Sequence, residues 1–403
     1  MSRVLHLSVV HRHDDPRIFE RECRTLAEAG HDVTYLAPGT TPGPRRDGVG
    51  LWSLKPRSRA TRWLHTPEIL RAVRLLQPDV VHFHDPELLA LVPLLRRRVA
   101  RIVYDIHEYH DLEVSGKYYI PAPLRPLAGR ASATAHVRGV ALCHGLVTVV
   151  DDQFESLGSE PALRVALPNY PRFSRFAGYV AGGAANAAPA RPSSTSPILA
   201  ELAADPRLKL IYVGSLTRPR GIPVMLDVLQ RRAAEGHDDA MLYLGGVFYN
   251  PEIEAEVRGR VEGPQAPLAG RVKLLGRIAP DELPAYLAAA DVVWVPPTAG
   301  GQTHRKLVTT KLYEGLAVGL AALVSDLPGR SEVVKEEDCG IAVPPGVDGH
   351  YEGLTRLLAD RAAVRAYGAR GRAAVEARYS WEAIEGDLAE FYERLCAGLP
   401  DSG

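Results

Sequence analysis

The sequence predicts an α/β protein with two parallel-sheet domains. Short apolar runs alternate with longer amphipathic segments along all 403 residues. This rhythm is typical of βαβ units whose sheets are buried on both faces. The length fits two or three domains. Near the middle, residues 178–197 are rich in Ala, Gly, Pro and Ser and carry one charge, and such a composition cannot bury enough apolar surface to become ordered.

The apolar runs predict six strands in each half. In the first half these are residues 4–10, 31–37, 80–83, 101–106, 145–150 and 164–168. In the second half they are 208–214, 240–245, 272–276, 291–295, 320–325 and 340–344. Amphipathic segments between them predict helices at 16–30, 66–76, 86–97, 122–143, 220–235, 251–261, 280–290, 308–319 and in a run near 350–397. We therefore expect a first domain over 1–175, a flexible linker over 176–200 and a second domain over 201–379.

Composition excludes several classes of protein. Lys and Arg number 48 against 48 Asp and Glu, so the chain lacks the net charge expected of a nucleic-acid binder. The four cysteines lie far apart, without a CxxC pair, which predicts neither a disulfide framework nor a zinc site. The first residues are too polar for a signal peptide, and no apolar run reaches the length of a membrane span. These features favour a cytoplasmic protein.

One stretch departs from charge neutrality. Residues 45–74 contain eight Lys and Arg against two acidic residues, with Trp52 and Trp63 among them. A basic surface with aromatic side chains can dock an anionic lipid surface or a phosphorylated acceptor, and would then sit at the inner face of the membrane. The alternative is a solvated basic face above two half-packed tryptophans.

Two loops of the second half predict an anion site. Residues 291–329 form a strand, a loop rich in Gly and Pro, a helix and a second strand, and a helix N-terminus after such a loop can hold a phosphate. Lys311 and Glu314 lie one turn apart on that helix. The turn after strand 208–214 carries Arg218 and Arg220, where an anion at the carboxyl edge of a parallel sheet binds. Either feature alone is equally typical of a surface ion pair or of an ordinary strand-to-helix turn.

A series of segments carries a family resemblance. They are HDDPRIFERECRTLAEAGHDVTYLAP (13–38), DVVHFHDPELL (79–89), VYDIHEYH (103–110), VALPNYP (165–171), YVGSLTRPRGI (212–222), LLGRIAPDELPAYLAAADVVWVP (274–296), TTKLYEGLAVGLAALVSDLPG (309–329) and CGIAVPPG (339–346). Their order along the chain resembles that of the family-4 glycosyltransferases. The resemblance implies the GT-B fold, with two facing Rossmann-like domains and a final helix, about 380–403, that crosses back to the first. It also implies a sugar-nucleotide donor held by the second domain, an acceptor on the first, and transfer with retention.

The resemblance assigns roles to residues of the donor side. Glu314 corresponds to the second glutamate of the family's Glu-x7-Glu motif, which binds the ribose hydroxyls. Arg220 and Lys311 are expected at the diphosphate and, with His107 near the reacting carbon, form the expected catalytic set. Other expected donor contacts are Ser215, Arg218, the base-reading segment Gly276, Arg277 and Ile278, and the loop residues Gly301, Gln302, Thr303 and His304.

The sequence departs from the family pattern at two places. Lys306 replaces the first glutamate of the motif, eight residues before Glu314, and residues 11–17 replace the N-terminal Gly-Gly loop. Both departures leave the identity of the sugar open. On the acceptor side we expect His13, Asp15, Arg17, His84, Asp85 and Glu108.

A metal site is not expected. His82, His84 and Asp85 are ligand types, but we expect alternating strand residues to face opposite sides and find no partner cluster spaced to complete a site. The sequence thus predicts a metal-independent retaining glycosyltransferase without a cofactor, acting on a small or lipid-linked acceptor. The alternatives are a sugar-nucleotide 2-epimerase or hydrolase of the same fold, and a non-catalytic nucleotide-sugar binder.

Overall fold

The chain divides into two units. The computed structural model describes residues 1–40, 43–106, 134, 136–155, 163–181, 197–298 and 309–399. One unit comprises Met1–Asn169 with Ile384–Gly403, and the other comprises Tyr170–Ala383. The division therefore falls a few residues before the expected boundary at 175. The boundary precedes Tyr170 because the ring of this residue packs on Tyr313 and Tyr379 of the second unit, with ring centroids 4.9 and 5.6 Å apart.

The first unit is built on an eight-stranded sheet. The strands are β1 Arg3–Leu7, β2 Asp32–Pro38, β3 Arg45–Arg46, β4 Val49–Leu54, β5 Val80–Phe83, β6 Arg101–Ile106, β7 Gly145–Thr148 and β8 Arg164–Ala166. Their order is β3-β4-β2-β1-β5-β6-β7-β8, and every pair is parallel except β3 with β4. The strands β3 and β4 were not predicted, because charge dominates the pattern of the basic stretch that contains them.

Helices of the first unit begin with a π-helical segment, Pro16–Cys23, which continues as α1 Arg24–Glu28. Asp15 caps this segment by accepting from the backbone N–H groups of Arg17 and Ile18 at 2.9 and 3.0 Å. The remaining helical elements are the 3₁₀ turn Arg59–His65, α2 Thr66–Leu76, the 3₁₀ turn Pro86–Leu91, α3 Val92–Leu95 and α4 Asp152–Glu155. Most of the predicted helix 122–143 lies outside the described residues.

The second unit is built on a six-stranded sheet in which all pairs are parallel. Its strands are β9 Leu208–Val213, β10 Ala240–Gly245, β11 Val272–Gly276, β12 Val292–Val295, β13 Ala321–Ser325 and β14 Gly340–Val343, in the order β11-β10-β9-β12-β13-β14. The described helices are α5 Pro197–Ala204, α6 Ile222–Ala234, α7 Pro251–Val261, α8 Leu283–Ala288, α9 Thr310–Ala317, α10 Ser331–Glu336, α11 Val347–Ala359 and α12 Arg361–Ala377. Apolar side chains pack on both faces of the sheet, which confirms the predicted α/β class. Within the expected linker, residues 182–196 lie outside the described residues, and α5 begins at 197.

The last helix, α13 Glu385–Cys396, belongs to the first unit. Its Phe391 ring lies against the backbone of β7, where a Cβ added to Gly145 would come within 2.6 Å of the ring. The glycine therefore permits the close approach of helix and sheet. In the described part of the chain, no helix is both long enough and apolar enough to span a membrane.

Candidate functional site

Three loops meet at the carboxyl edge of the second sheet, and glycines allow them to touch. A Cβ added to Gly221 would lie 1.7 Å from the carbonyl oxygen of Pro296, so the turn after β9 packs on the backbone that follows β12. Gly246, after β10, would place a Cβ 1.8 Å from the carbonyl oxygen of Gly214. Both glycines have positive φ, +82° and +136°. Larger residues would separate the loops.

Lys311 extends from α9 into this edge. Its stem fills the space above Gly214, where an added Cβ would lie 2.0 Å from Cε of the lysine. Nζ lies 6.0 Å from the centroid of the Tyr212 ring. Burial, together with the nearby cations Arg220 and Arg330, lowers the pKa of Lys311 to about 8, against the opposing effect of Glu314. The sequence-predicted cation is thus held in a site that already carries excess positive charge.

Arg330 is a third cation near Lys311 and Arg220, and the sequence analysis did not select it. Its side chain is 2% exposed, and Nη1 donates to the carbonyl oxygen of Pro328 at 3.0 Å. Burial and the charge of Arg220 lower its pKa to about 10. The available signal was its position: it directly follows the segment DLPG, which leaves the end of β13.

The structure separates the two arginines of the turn after β9. Arg220 is exposed and lies close enough to Lys311 and Arg330 to affect both pKa values. Arg218 instead pairs with Glu256 on α7. Arg220, Lys311 and Arg330, with the half-buried Glu314, thus form the cation group at this edge.

The other predicted donor contacts that the structure describes, Ser215 and residues 276–278, lie beside this group. The Tyr212 hydroxyl donates a hydrogen bond to the backbone carbonyl oxygen of Ser215 at 3.0 Å. Gly276 has φ +67° and accepts from the backbone N–H of Gly246 at 2.7 Å. Ile278 covers Gly245, where an added Cβ would lie 2.7 Å from its Cδ1, whereas Arg277 is exposed. The segment 276–278 therefore lines the end of the sheet next to the turn after β9.

A buried histidine holds the loop after β12. His350 accepts from the indole N–H of Trp294 at Nδ1 (3.1 Å), and its Nε2 lies 2.9 Å from the Ser325 hydroxyl. That hydroxyl donates to the carbonyl oxygen of Pro297 at 3.0 Å. Burial lowers the pKa of His350 to about 4, so the imidazole is neutral at physiological pH. This chain fixes the backbone just before residue 299.

Several predicted site residues cannot be placed. His107 and Glu108 lie outside the described residues, as do Gly301, Gln302, Thr303, His304 and Lys306. Their expected roles stay predictions.

In the first unit, Asp85 lies at the carboxyl end of β5 and is buried. It accepts from the Ser8 hydroxyl at 2.8 Å and the Val9 backbone N–H at 2.6 Å. His11, which sequence reasoning did not select, lies 3.0 Å from Asp15 and 3.8 Å from Asp85. Burial lowers the pKa of His11, but the hydrogen bond to Asp15 and both carboxylate charges outweigh this and raise it. A histidine that is readily protonated thus lies at this sheet edge.

Three predicted acceptor-side residues make contacts inside the unit. Arg17 donates to both carboxylate oxygens of Asp105 at 2.9 Å, and its Nη1 donates to the Leu167 carbonyl oxygen at 2.8 Å. Nε2 of His13 lies 3.1 Å from the Trp52 carbonyl oxygen. Asp15 is the helix cap described above. Arg17 and His13 are buried, so the contacts of all three residues hold the loop and helix that follow β1.

The structure corrects the expectation about His82 and His84. His82 belongs to β5 and His84 directly follows that strand, and the two side chains lie on the same side of the sheet, with ring centroids 4.9 Å apart. Glu22 and Asp105 complete a buried group whose ligand atoms all lie within 4.8 Å of one another. A partner cluster therefore exists, contrary to the sequence-based argument. Spacing along the chain could not reveal it, because its members come from one helix and two strands.

Two families match the chain in succession. The family described as "Glycosyl transferase 4-like domain" matches residues 17–170, and "Glycosyl transferases group 1" matches residues 207–360. The chain is similar to the phosphatidyl-myo-inositol mannosyltransferase of Mycobacterium leprae, with 26% identity over 98% of this chain and 92% of that protein. It is also similar to the alpha-maltose-1-phosphate synthase of Mycobacterium tuberculosis, with 29% identity over 50% of this chain and 52% of that protein. The match thus spans about half the length of the synthase.

Solved structures show the same fold at low identity. Sucrose-phosphate synthase from Thermosynechococcus elongatus superposes with a TM-score of 0.74 at 18% identity, covering 98% of this chain and 100% of that chain. Anabaena Alr3699/HepE in complex with UDP superposes with a TM-score of 0.71 at 14% identity, with the same coverage. These likenesses concern the arrangement of the backbone.

Proposed function

Because this chain belongs to the family-4 glycosyltransferases of GT-B fold, we propose that it transfers a sugar, with retention, from a nucleotide-diphosphate donor to a small or lipid-linked acceptor. The observation that carries this proposal is the cation group of Arg220, Lys311 and Arg330 at the carboxyl edge of the second sheet. Three cations and two nearby carboxylates, Glu314 and Glu332, leave an excess of positive charge that a diphosphate neutralises. Charge-assisted hydrogen bonds to phosphate contribute about 1.5–3 kcal/mol each.

The same group supplies the chemistry that transfer requires. As the bond between the sugar and the diphosphate breaks, negative charge grows on the leaving phosphate, and preorganised cations stabilise that charge most when it is fully developed. We propose that a diphosphate oxygen takes the acceptor's proton, so that the reaction needs no covalent enzyme intermediate and no metal ion in the transfer step. His107, which follows β6 in the sequence, is proposed to stabilise the positive character of the sugar carbon.

The donor assignment is tested by ligand selectivity. We expect calorimetry to show that Lys311→Ala or Arg330→Ala weakens the binding of a nucleoside diphosphate at least about tenfold and leaves the binding of the corresponding nucleoside nearly unchanged. Arg218→Ala is the matched control, because Arg218 belongs to the same turn but pairs with Glu256. Equal losses for nucleoside and diphosphate, or a loss of the same size in Arg218→Ala, would contradict the assignment.

The ribose contact and the donor identity need separate measurements. Glu314→Gln is expected to raise the donor's Kd because the ribose loses a charged acceptor. GDP-mannose is a sensible first donor, since a relative matching 31% of this chain at 32% identity is a GDP-mannose-dependent mannosyltransferase. A donor panel that includes UDP, ADP and dTDP sugars, read by thermal shift, identifies the base. NMR of the product then decides between retention and inversion, and incubation with donor and water alone separates transfer from hydrolysis or epimerisation.

For the acceptor, we propose a lipid-linked sugar or polyol approached from the basic stretch 45–74. Its support is the exposure of Trp63, 71%, next to the exposed Leu64, and the name of the Mycobacterium leprae relative, which specifies a phosphatidylinositol acceptor. Arg62 pairs with Glu87 at 3.0 Å and Arg45 with Asp32 at 3.1 Å, so part of the positive charge is already compensated.

Liposome co-sedimentation tests this docking. Binding is expected to require acidic phospholipid, to fall with salt because exposed charges are screened over about 8 Å at physiological ionic strength, and to weaken in Trp63→Ala. Absence of binding at low salt would leave a small, water-soluble acceptor as the substrate.

A further inference from the structure

A group of titratable side chains lies buried inside the first unit, and only one of them, His84, is among the expected acceptor-side residues. It comprises Glu22 from the π-helical segment, His82 from β5, His84 directly after β5, and Asp105 from β6. The four residues are buried, with side chains 0–3% exposed. They approach one another although they are distant in the sequence, and all four offer an oxygen or nitrogen atom within 4.8 Å of the others.

We propose that Glu22, His82, His84 and Asp105 bind one divalent transition-metal ion, of which Zn²⁺ is the best fit. The carboxylate oxygen Oε2 of Glu22 lies 3.8 Å from Nε2 of His82 and 4.0 Å from Nδ1 of His84. Nδ1 of His84 lies 3.2 Å from Oδ2 of Asp105. Two ligands of a tetrahedral zinc ion, with bonds of about 2.0–2.1 Å, stand about 3.4 Å apart. These three separations lie within about 0.6 Å of that value, and because all the ligand atoms lie within 4.8 Å of one another, shifts of the side chains would bring the wider pairs to it.

Unsatisfied atoms point to the same ligand. Within the described part of the chain, Oε2 of Glu22 and Nε2 of His82 are buried without a hydrogen-bond partner, whereas Oε1 of Glu22 forms an ion pair with Arg17. Buried polar groups normally form hydrogen bonds, since a buried polar group without one costs free energy. The separation of 3.8 Å is too long for a hydrogen bond between them. A metal ion bound to both atoms satisfies them together.

Neighbouring residues orient the proposed ligands. Nδ1 of His82 lies 2.9 Å from the Tyr392 hydroxyl, which leaves Nε2 to face Glu22. Nε2 of His84 lies 3.0 Å from Nδ1 of His6, which leaves Nδ1 to face Asp105. Metal-binding histidines are typically held through their second ring nitrogen in this way.

Charge favours a cation at this position. The two carboxylates of Glu22 and Asp105 are accompanied by one guanidinium, that of Arg17, which lies 3.2 Å from Glu22 and 2.9 Å from Asp105. When both carboxylates are ionised, the group carries one excess negative charge away from water, which a bound cation compensates. Imidazole nitrogens select zinc-like ions over Mg²⁺ and Ca²⁺, which prefer six or more oxygen ligands. Since the protein supplies four ligands in a buried site, the ion is structural, and the proposal does not depend on the transfer reaction.

Metal analysis of the unmodified, untagged protein is the first test. Protein purified without chelator is expected to contain about one transition-metal ion per chain. After chelation, Zn²⁺ titrated by calorimetry is expected to bind with a stoichiometry of one, Mg²⁺ is expected not to compete, and Co²⁺ is expected to give the visible spectrum of a tetrahedral site. A protein that contains no such ion and shows no Zn²⁺ binding would overturn the proposal, and would mean that Glu22 is buried in its protonated form.

Variants locate the ion. Glu22→Gln and His82→Gln are expected to weaken Zn²⁺ binding at least about tenfold. The matched controls are Glu20→Gln, on the same helical segment but paired with Arg24, and His65→Gln, a buried histidine of the same unit that lies beside Glu68. Unchanged affinity in the first pair, or an equal loss in the controls, would refute the site. Should Glu22→Gln or His82→Gln fail to fold, the Co²⁺ spectrum of the unmodified protein decides.

Discussion

Raising the pH from 7 to 9 is expected to weaken the binding of a nucleoside diphosphate about tenfold, because Lys311 loses its proton over this range. Burial and the nearby cations lower the pKa of Lys311 to about 8. A bound diphosphate favours the charged form, so the pKa is higher in the complex than in the free protein. Binding therefore takes up a proton, and affinity is nearly full at pH 7 and declines as the pH rises through 8.

The magnitude follows from the protonated fraction of the free protein. With a pKa of about 8, about nine-tenths of the Lys311 side chains are charged at pH 7 and about one-tenth at pH 9. When only the charged form binds, Kd rises in proportion, by about tenfold or about 1.4 kcal/mol. A lysine with its ordinary pKa of 10.5 would produce almost no change across the same range.

Calorimetry at several pH values, in buffers with different ionisation heats, measures both the affinity and the proton uptake. Lys311→Arg keeps its charge throughout and is expected to give a flat profile, which also controls for ionisation of the base. Lys311→Met is expected to bind weakly at every pH. An unchanged Kd between pH 7 and 9 in the unmodified protein, or the same pH dependence in Lys311→Arg, would refute the reasoning.

Two further predictions concern the framework of this site. Gly214→Ala is expected to reduce diphosphate affinity at least about tenfold, because the new methyl group would lie 2.0 Å from Cε of Lys311 and displace it. Calorimetry measures this loss, and the control is Gly236→Ala, where φ is also positive but no atom lies within 4 Å of an added Cβ. A loss in the first variant alone separates displacement of the lysine from backbone strain. His350→Ala is expected to lower the free energy of unfolding by about 2–4 kcal/mol, since Trp294 and Ser325 lose buried hydrogen-bond partners. Urea denaturation measures this free energy, and the control is His237→Ala at an exposed histidine. Equal stability of the two variants would contradict the prediction.

Much of the fold could be predicted from the sequence because buried parallel strands leave an uninterrupted apolar signal. All twelve predicted strands overlap observed ones. Lys311, selected because it follows a loop at a helix start, lies at the carboxyl edge of the second sheet, and its role in binding an anion stays a prediction. The missed strand β4 (49–54) contains Gly50, directly follows Gly48 and has polar neighbours. Its strand character comes from pairing with β2, a tertiary effect that local composition does not encode.

The parts of the site that sequence reasoning missed depend on contacts between distant segments. Arg330 joins Lys311 only because β12, β13 and their loops lie side by side in the sheet. Glu22 meets His82 because the π-helical segment after β1 packs over β5, a relation that no spacing along the chain expresses. The error about His82 and His84 was different in kind: residues two apart on a strand share a face, so this point was available from the sequence.

The cation group is a preorganised site whose like charges repel one another until a ligand arrives. Burial and mutual repulsion lower the pKa of Lys311 to about 8 and that of Arg330 to about 10, so holding both protonated costs free energy in the free protein. A diphosphate removes that repulsion on binding, whereas a nucleoside does not, and the gain is larger for two phosphates than for one. The glycine contacts and the His350 chain keep the loops in place, so little reorganisation is needed when charge develops on the leaving phosphate. The proposed selectivity for the diphosphate and the proposed stabilisation of the leaving group therefore have the same physical origin.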